Sequence, residues 1–211
     1  MEIAAGHLSE VGRLVSVVVK HARDAFVDER TIAEQWQRLN FTASPDLAAA
    51  IDEYERFLDI LRSSGATVHF LPRDPGTTLD SIYARDASIV SPRGLILCSM
   101  GKPARESEPE AQERAFRGLG PEFTIAGRIH PPGLLEGGDV VWLDAHTLLV
   151  GRGYRTNGEG IRQFMGQQGG DRRGNQRRQH VEPLRRPMPC GPCHQRHAHP
   201  GSLFRHVAGN P

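Results

Sequence analysis

Four short clusters in this 211-residue sequence carry residue types that do chemistry. In Leu79-Asp80-Ser81-Ile82-Tyr83-Ala84-Arg85-Asp86, two carboxylates bracket a largely apolar stretch. Gly101-Lys102-Pro103-Ala104-Arg105 places two cations just after a strand-like run. Leu135-Glu136-Gly137-Gly138-Asp139-Val140 sets two carboxylates three apart with glycines between them. That spacing permits close backbone approach and lets two acceptors face one cleft. Gly151-Arg152-Gly153-Tyr154-Arg155-Thr156-Asn157 offers Arg155, whose planar fork of N–H donors matches a carboxylate in bidentate fashion. Taken singly, each cluster also fits a plainer role: a loop acid, a solvated loop, a turn before a strand, or a solvated arginine.

These residues need elements to position them. Val15–Lys20 is β-branched and continuous, like a strand buried on both faces. A helix or helical turn is predicted over Thr31–Leu39. Ser44-Pro45-Asp46 reads as a helix start, with Ser44 capping and Pro45 in the first turn. Leu47, Ile51, Tyr54, Phe57, Leu58 and Leu61 then recur at helical spacing, and Gly65 ends the helix. Strands are predicted at Thr67–Leu71, Ser81–Val90, Leu95–Ser99 and Thr124–Ile129. Ser107 and Glu110 have capping-box spacing before a helix over Pro109–Arg117. Val140–Leu143 and Thr147–Gly151 read as a hairpin around Asp144-Ala145, and Asn157 as the cap of a last helix. The order is mixed α/β in strand–strand–helix units. It favours mixed or antiparallel pairing over pure βαβ winding.

Composition divides the chain. The formal net charge is +1, but residues 166–211 alone carry +6 and residues 1–165 carry −5. The basic segment has eight Arg, five His, seven Gly and six Pro among 46 residues. Only ten of the 46 are apolar, too few to offset the entropy of ordering. The expected organisation is an acidic α/β body over residues 1–165 and a largely irregular tail over 166–211. No apolar run reaches the roughly 18 residues of a membrane-spanning helix. Met1-Glu2-Ile3 opens neither a basic nor an apolar leader region, and three cysteines are too few for a disulfide scaffold. A cytoplasmic setting is therefore expected.

In this order and spacing, LDSIYARD, MGKPAR, LLEGGDVVWL and GRGYRTNGEGIRQF resemble the amidinotransferase family. That family includes dimethylarginine dimethylaminohydrolase-like proteins, arginine deiminases and other guanidine-modifying enzymes. EVGRL followed by VVVKHARDAF is similar too, so the resemblance covers roughly residues 10–165. It implies the pentein fold, an α/β propeller of ββαβ modules, here with its N-terminal modules only. It implies a small-molecule guanidinium substrate of the arginine or methylated-arginine class, without metal or cofactor. The family reaction attacks the guanidinium carbon with a cysteine thiolate, while a histidine handles protons and acids grip the guanidinium. Carried over by position, Glu136 matches the catalytic glutamate. Asp80 and Asp86 match the acidic strand, with Asp80 preferred as guanidinium ligand. Arg105 and Arg155 match positions that bind the substrate's α-carboxylate, and Asp139 supports Glu136 or its turn. Arg85 stands where a deaminating relative would carry an acid.

The family's histidine and cysteine have no matching context after Gln163. Cys190-Gly191-Pro192-Cys193-His194 imitates redox and haem-attachment motifs, but Arg185-Arg186-Pro187-Met188-Pro189 precedes it and 18 residues follow Cys193. Adventitious zinc binding at Cys190, Cys193, His197 and His199 is a weaker alternative. The chain's 24 Arg against two Lys suggest GC-rich coding DNA, and a frame shift near codon 165 would yield such a tail. The resulting expectation is an inactive fragment of a guanidine-modifying enzyme. Two alternatives stand beside it: a non-catalytic binder of arginine-like ligands, and a weak nucleic-acid binder acting through the basic tail. The tail's single aromatic, Phe204, gives the last no stacking support. Oligomeric state is left open.

Overall fold

The structure is a computed structural model and describes residues 8–144 and 147–167. The tail beyond residue 167, with Cys190, Cys193 and His180, His194, His197, His199 and His206, lies outside the described residues, as does Ala145 of the hairpin turn.

The chain begins with β1 (Ser16–Val19), α1 (Ala22–Phe26), α2 (Glu29–Gln35), α3 (Leu47–Ser63) and β2 (Thr67–Phe70). After two 3-10 turns come β3 (Ser88–Ser91), β4 (Gly94–Leu97), α4 (Glu108–Leu119) and β5 (Ile125–Arg128). The hairpin β6 (Val140–Trp142) and β7 (Leu148–Val150) leads to α5 (Gly158–Gln167). β1 pairs with β2 in parallel. β3 pairs antiparallel with β4, which pairs in parallel with β5 across a register irregularity at Leu95/Ile96. β6 and β7 are antiparallel. The pairing is thus mixed, as the element order predicts.

Three apolar clusters carry the packing. Phe26, Ile32, Leu58, Leu61 and Leu79 join α1, α2 and α3 to the chain beyond β2. Leu71, Leu95, Leu97 and Phe116 join α4 to β4. Ile89, Ile96, Ile129, Trp142, Val150 and Phe164 join the last two sheets to α5. The apolar spacing of α3 holds: Tyr54, Leu58 and Leu61 are buried, while Asp52, Arg56 and Asp59 of the same helix are not.

Three expectations change. β1 is not buried on both faces: Ser16 is exposed, Val17 and Val18 are half-buried, and only Val19 is buried. Its paired neighbour among the described strands is β2 alone. Ser81–Val90 is a strand only from Ser88. Before that, Leu79–Ile82 and Ala84–Asp86 are 3-10 turns. They are closed by bonds from Ser81 N to Thr78 O, Tyr83 N to Asp80 O and Asp86 N to Tyr83 O, at 3.0–3.1 Å. A strand would carry Asp80 and Asp86 about 20 Å apart at ~3.3 Å per residue. The 3-10 rise of ~2.0 Å draws both carboxylates into one neighbourhood.

The third change concerns caps. Asp46, not Ser44, caps α3, its Oδ1 accepting from Ala49 N at 2.9 Å. Pro45 therefore precedes the cap. Ser107 makes no capping bond, because its backbone is already helical (φ −80°, ψ −14°). Its hydroxyl donates instead to Gly76 O. Asn157 does cap α5, accepting from Gly160 N at 2.8 Å.

This distinction is measurable. Asp46→Ala should lower stability by about 1 kcal/mol in urea unfolding followed by circular dichroism. Ser44→Ala should change it by less than about 0.5 kcal/mol. Equal effects would contradict the assignment of the cap.

Candidate functional site

Four 3-10 turns carry or adjoin the candidate residues. Asp80 lies on the first, Asp86 on the second, Arg105 on Pro103–Arg105, and Asp139 on Gly137–Asp139, just after Glu136. Arg155 follows β7 in the segment before α5. A 3-10 turn tightens the backbone where a strand ends, so side chains from distant parts of the sequence converge.

Glu136 is the centre. Its residue is 0 % exposed. Its Oε1 accepts from the Gly101 backbone N–H at 3.0 Å, and its Oε2 from Arg155 Nη1 at 2.6 Å. Its own N–H donates to Thr156 Oγ1 at 3.2 Å, while that hydroxyl donates to Asp139 Oδ2 at 2.6 Å. Asp139 thus fixes Thr156, which fixes the backbone of Glu136. The Gly101 contact requires glycine: a Cβ there would stand 2.6 Å from Arg155 Cα. Gly137 is constrained likewise, since its Cβ would collide with the Arg85 carbonyl.

Asp86 extends the network. Its Oδ2 lies 2.6 Å from Arg105 Nη1 and 4.0 Å from Arg155 Nη1. Arg105 is buried and meets Glu108 through two parallel bonds, Nε to Oε1 at 2.8 Å and Nη2 to Oε2 at 2.7 Å. It also donates to Tyr83 O and lies 5.8 Å over the Tyr83 ring. A continuous charge chain therefore runs Glu108–Arg105–Asp86–Arg155–Glu136. Asp80, also buried, accepts from Lys102 Nζ at 2.5 Å, and that ammonium also donates to Leu39 O.

So Glu136, Asp86, Arg105, Asp139 and Arg155 form one network, and Asp80 stands beside it in a separate pair with Lys102. Arg105, expected at the ligand's α-carboxylate, is already paired within the chain. Its fork is occupied by Glu108 and Asp86, leaving Arg155 as the more exposed guanidinium, with its side chain 33 % accessible. Arg85 turns away, pairing with Glu10 and with Val140 O. Sequence reasoning gave no role to Glu108, Lys102 or Thr156. Glu108 stands three residues from Arg105, a pairing distance on a helical turn, and Lys102 is one of only two lysines.

Burial raises the Glu136 carboxyl above the usual glutamate range. The Gly101 N–H and Arg155 oppose the shift, and nearby Asp86 adds to it. Burial raises Glu108 as well, against the pull of Arg105. Burial alone would lower Arg105, but its bonds to Glu108 and Asp86 prevail and hold it more firmly protonated. Cys98, the one cysteine among the described residues, is buried, and burial drives its thiol far up, with Asp86 and Glu136 adding to the effect. It is a core residue, not a thiolate nucleophile. Among the described residues no group of His, Cys, Asp or Glu could hold a metal ion, and no helix is long and apolar enough to cross a membrane.

An arginine deiminase family model matches residues 79–181, a span that contains all six candidate residues. A dimethylarginine dimethylaminohydrolase of Streptomyces coelicolor is 30 % identical over 120 residues, covering 56 % of this chain and 44 % of that protein. An uncharacterised protein of Aeropyrum pernix is 30 % identical over 112 residues, covering 52 % of this chain and 40 % of its own length. Each match thus spans less than half of the curated relative. Among solved structures, the dimethylarginine dimethylaminohydrolase of Pseudomonas aeruginosa in complex with citrulline has a TM-score of 0.60 at 22 % identity, over 74 % of this chain and 57 % of that one. Inosamine-phosphate amidinotransferase of Streptomyces griseus has a TM-score of 0.62 at 16 % identity, over 84 % and 62 %. The fold is that of the pentein proteins, present here in part.

The folded state binds the Glu136 proton more tightly than the unfolded chain. Relative to Glu136→Gln, wild-type stability should therefore fall as pH rises from the ordinary glutamate value through the raised one, then level off. Urea unfolding of both proteins across that window checks it. A difference that grows with pH would show that Arg155 and Gly101 outweigh burial.

Proposed function

We propose that this chain belongs to the amidinotransferase and dimethylarginine dimethylaminohydrolase-like family and that it supplies the guanidinium-gripping carboxylates of a guanidine-modifying site. The observation that carries this reading is the Glu136 carboxylate, fully buried and already bonded to a guanidinium at 2.6 Å, with Asp86 4.0 Å from the same nitrogen. A guanidinium is cationic and delocalised, so it resists nucleophiles. Desolvated carboxylates match its N–H donors and hold its carbon in an attack geometry.

In this reading Glu136 and Asp86 receive the ligand's guanidinium, Asp80 adds a third carboxylate, and Arg155 meets the ligand's α-carboxylate. Arg105 fixes Asp86, and Asp139 fixes Glu136 through Thr156. The ligand is of the arginine or methylated-arginine class. Neighbours of the same fold crystallised with citrulline and with L-arginine support that choice.

Turnover needs a thiolate and a proton carrier. Cys98 is a core thiol, and the described histidines His21, His69 and His130 make no hydrogen bond to the cluster. We therefore assign these residues binding without turnover, and a reducing cytoplasm as the setting. Cys190, Cys193 and the basic segment lie outside the described residues and carry no part of this reading.

Calorimetry on the full 211-residue chain tests it. Arginine or dimethylarginine should bind saturably, without citrulline formation. Glu136→Gln should weaken binding roughly 10- to 100-fold, the loss of a hydrogen bond between charged groups. Absence of binding overturns the site, and citrulline production overturns the assignment of binding alone.

A further inference from the structure

We propose that Arg155 is a self-ligand of the carboxylate cradle, which a guanidinium ligand has to displace before it can bind. This rests on the reading of Glu136 and Asp86 as guanidinium acceptors.

The cradle already holds the chemical group it is proposed to take, and that group belongs to the chain. Arg155 Nη1 sits on Glu136 Oε2 at 2.6 Å and 4.0 Å from Asp86 Oδ2. Glu136 Oε1 is committed to the Gly101 N–H, so Oε2 is the oxygen at which a ligand and Arg155 compete. A second guanidinium at that oxygen would meet the Arg155 charge directly. A ligand must therefore displace Arg155.

The side chain is placed to be displaced. Its backbone is backed closely by Gly101, which fixes the Cα. Its side chain is only partly enclosed, 33 % accessible, and the guanidinium lies 5.7 Å over the ring of Tyr154, an exposed residue. Nothing stands within 4 Å of the place a Cβ would take on Gly153, two residues earlier. The root is held and the tip borders solvent, so the long side chain can swing while the backbone stays.

Charge pairing then discriminates between ligands. An amino acid with a guanidinium exchanges one ion pair for two: its guanidinium takes Glu136, and its carboxylate takes the released Arg155. A guanidinium amine takes Glu136 but leaves Arg155 without a partner and adds its own positive charge. The self-occupied state lowers the apparent affinity of every ligand by the fraction of chains that are open. Only a carboxylate-bearing ligand recovers that loss.

The test compares L-arginine with agmatine, which is arginine without its carboxylate, on the full-length wild-type chain, Arg155→Ala and Glu136→Gln. Agmatine should bind Arg155→Ala about tenfold more tightly than wild type, and the preference for arginine over agmatine should fall by at least the same factor. A residue that only recognised carboxylates would leave agmatine binding unchanged, and one that only supported the fold would weaken both ligands. Either result overturns the proposal. If arginine binds wild type and loses affinity in Glu136→Gln, the site stands even when the self-ligand fails. If no ligand binds any of the variants, both fail. Should Arg155→Ala unfold, millimolar guanidinium chloride should restore its melting temperature, but not that of Arg155→Ala/Glu136→Gln. Absence of rescue counts against the self-ligand.

Discussion

A carboxylate with no solvent exposure, at Glu136, is the constraint around which the rest of the described structure is arranged. An ionised carboxylate out of water needs either a proton or a set of partners, and several kcal/mol depend on which it gets. Here one oxygen has a backbone N–H and the other a guanidinium. Each partner makes its own demand. The N–H demands glycine at position 101, so that the loop can approach Arg155. The guanidinium demands that Asp86 and its partner Arg105 be placed to share its charge. Arg105 in turn requires Glu108, which begins α4. The network thus reaches from the Glu136 loop to the first residue of a helix packed against β4.

Such a chain of alternating charges is a poor way to gain stability, because desolvation offsets most of the Coulomb attraction. Apolar residues in Ile89, Ile96, Trp142 and Phe164 already supply the adjacent core. What the network supplies is placement: acceptors of fixed position and sign at one end, and at the other a guanidinium that borders solvent. That is the arrangement a cationic planar ligand requires.

Much of this was legible in the sequence. The four motifs carried the resemblance that implied the observed fold, and the glycines around Glu136 announced close approach. Most of the strands, the α3 face and the β6–β7 hairpin followed from periodicity and turn residues, whereas the short α1 had no counterpart in the pattern. The errors share a cause. LDSIYARD alternates enough to resemble a strand, yet 3-10 turns win because Asp80 and Asp86 must reach Lys102 and Arg105, contacts that no local pattern records. Arg105 and Arg155 look equivalent as isolated arginines. Only the fold shows that Glu108 and Asp86 consume the first, while the second borders solvent. Ser44 and Asp46 are both good caps, and the backbone of Asp46 decides between them. The half-exposed β1 was hidden for a similar reason: a run of valines does not say how many neighbouring strands it will have.

Whether a guanidinium ligand takes the place of the chain's own decides the role of the Glu136 cradle. A crystal structure of the full chain with L-arginine measures that directly. The ligand's guanidinium should lie within hydrogen-bond distance of Glu136 Oε2 and face Asp86, with Arg155 swung onto the ligand's carboxylate. Arginine bound elsewhere, or Arg155 still seated on Glu136 beside a bound ligand, would contradict it.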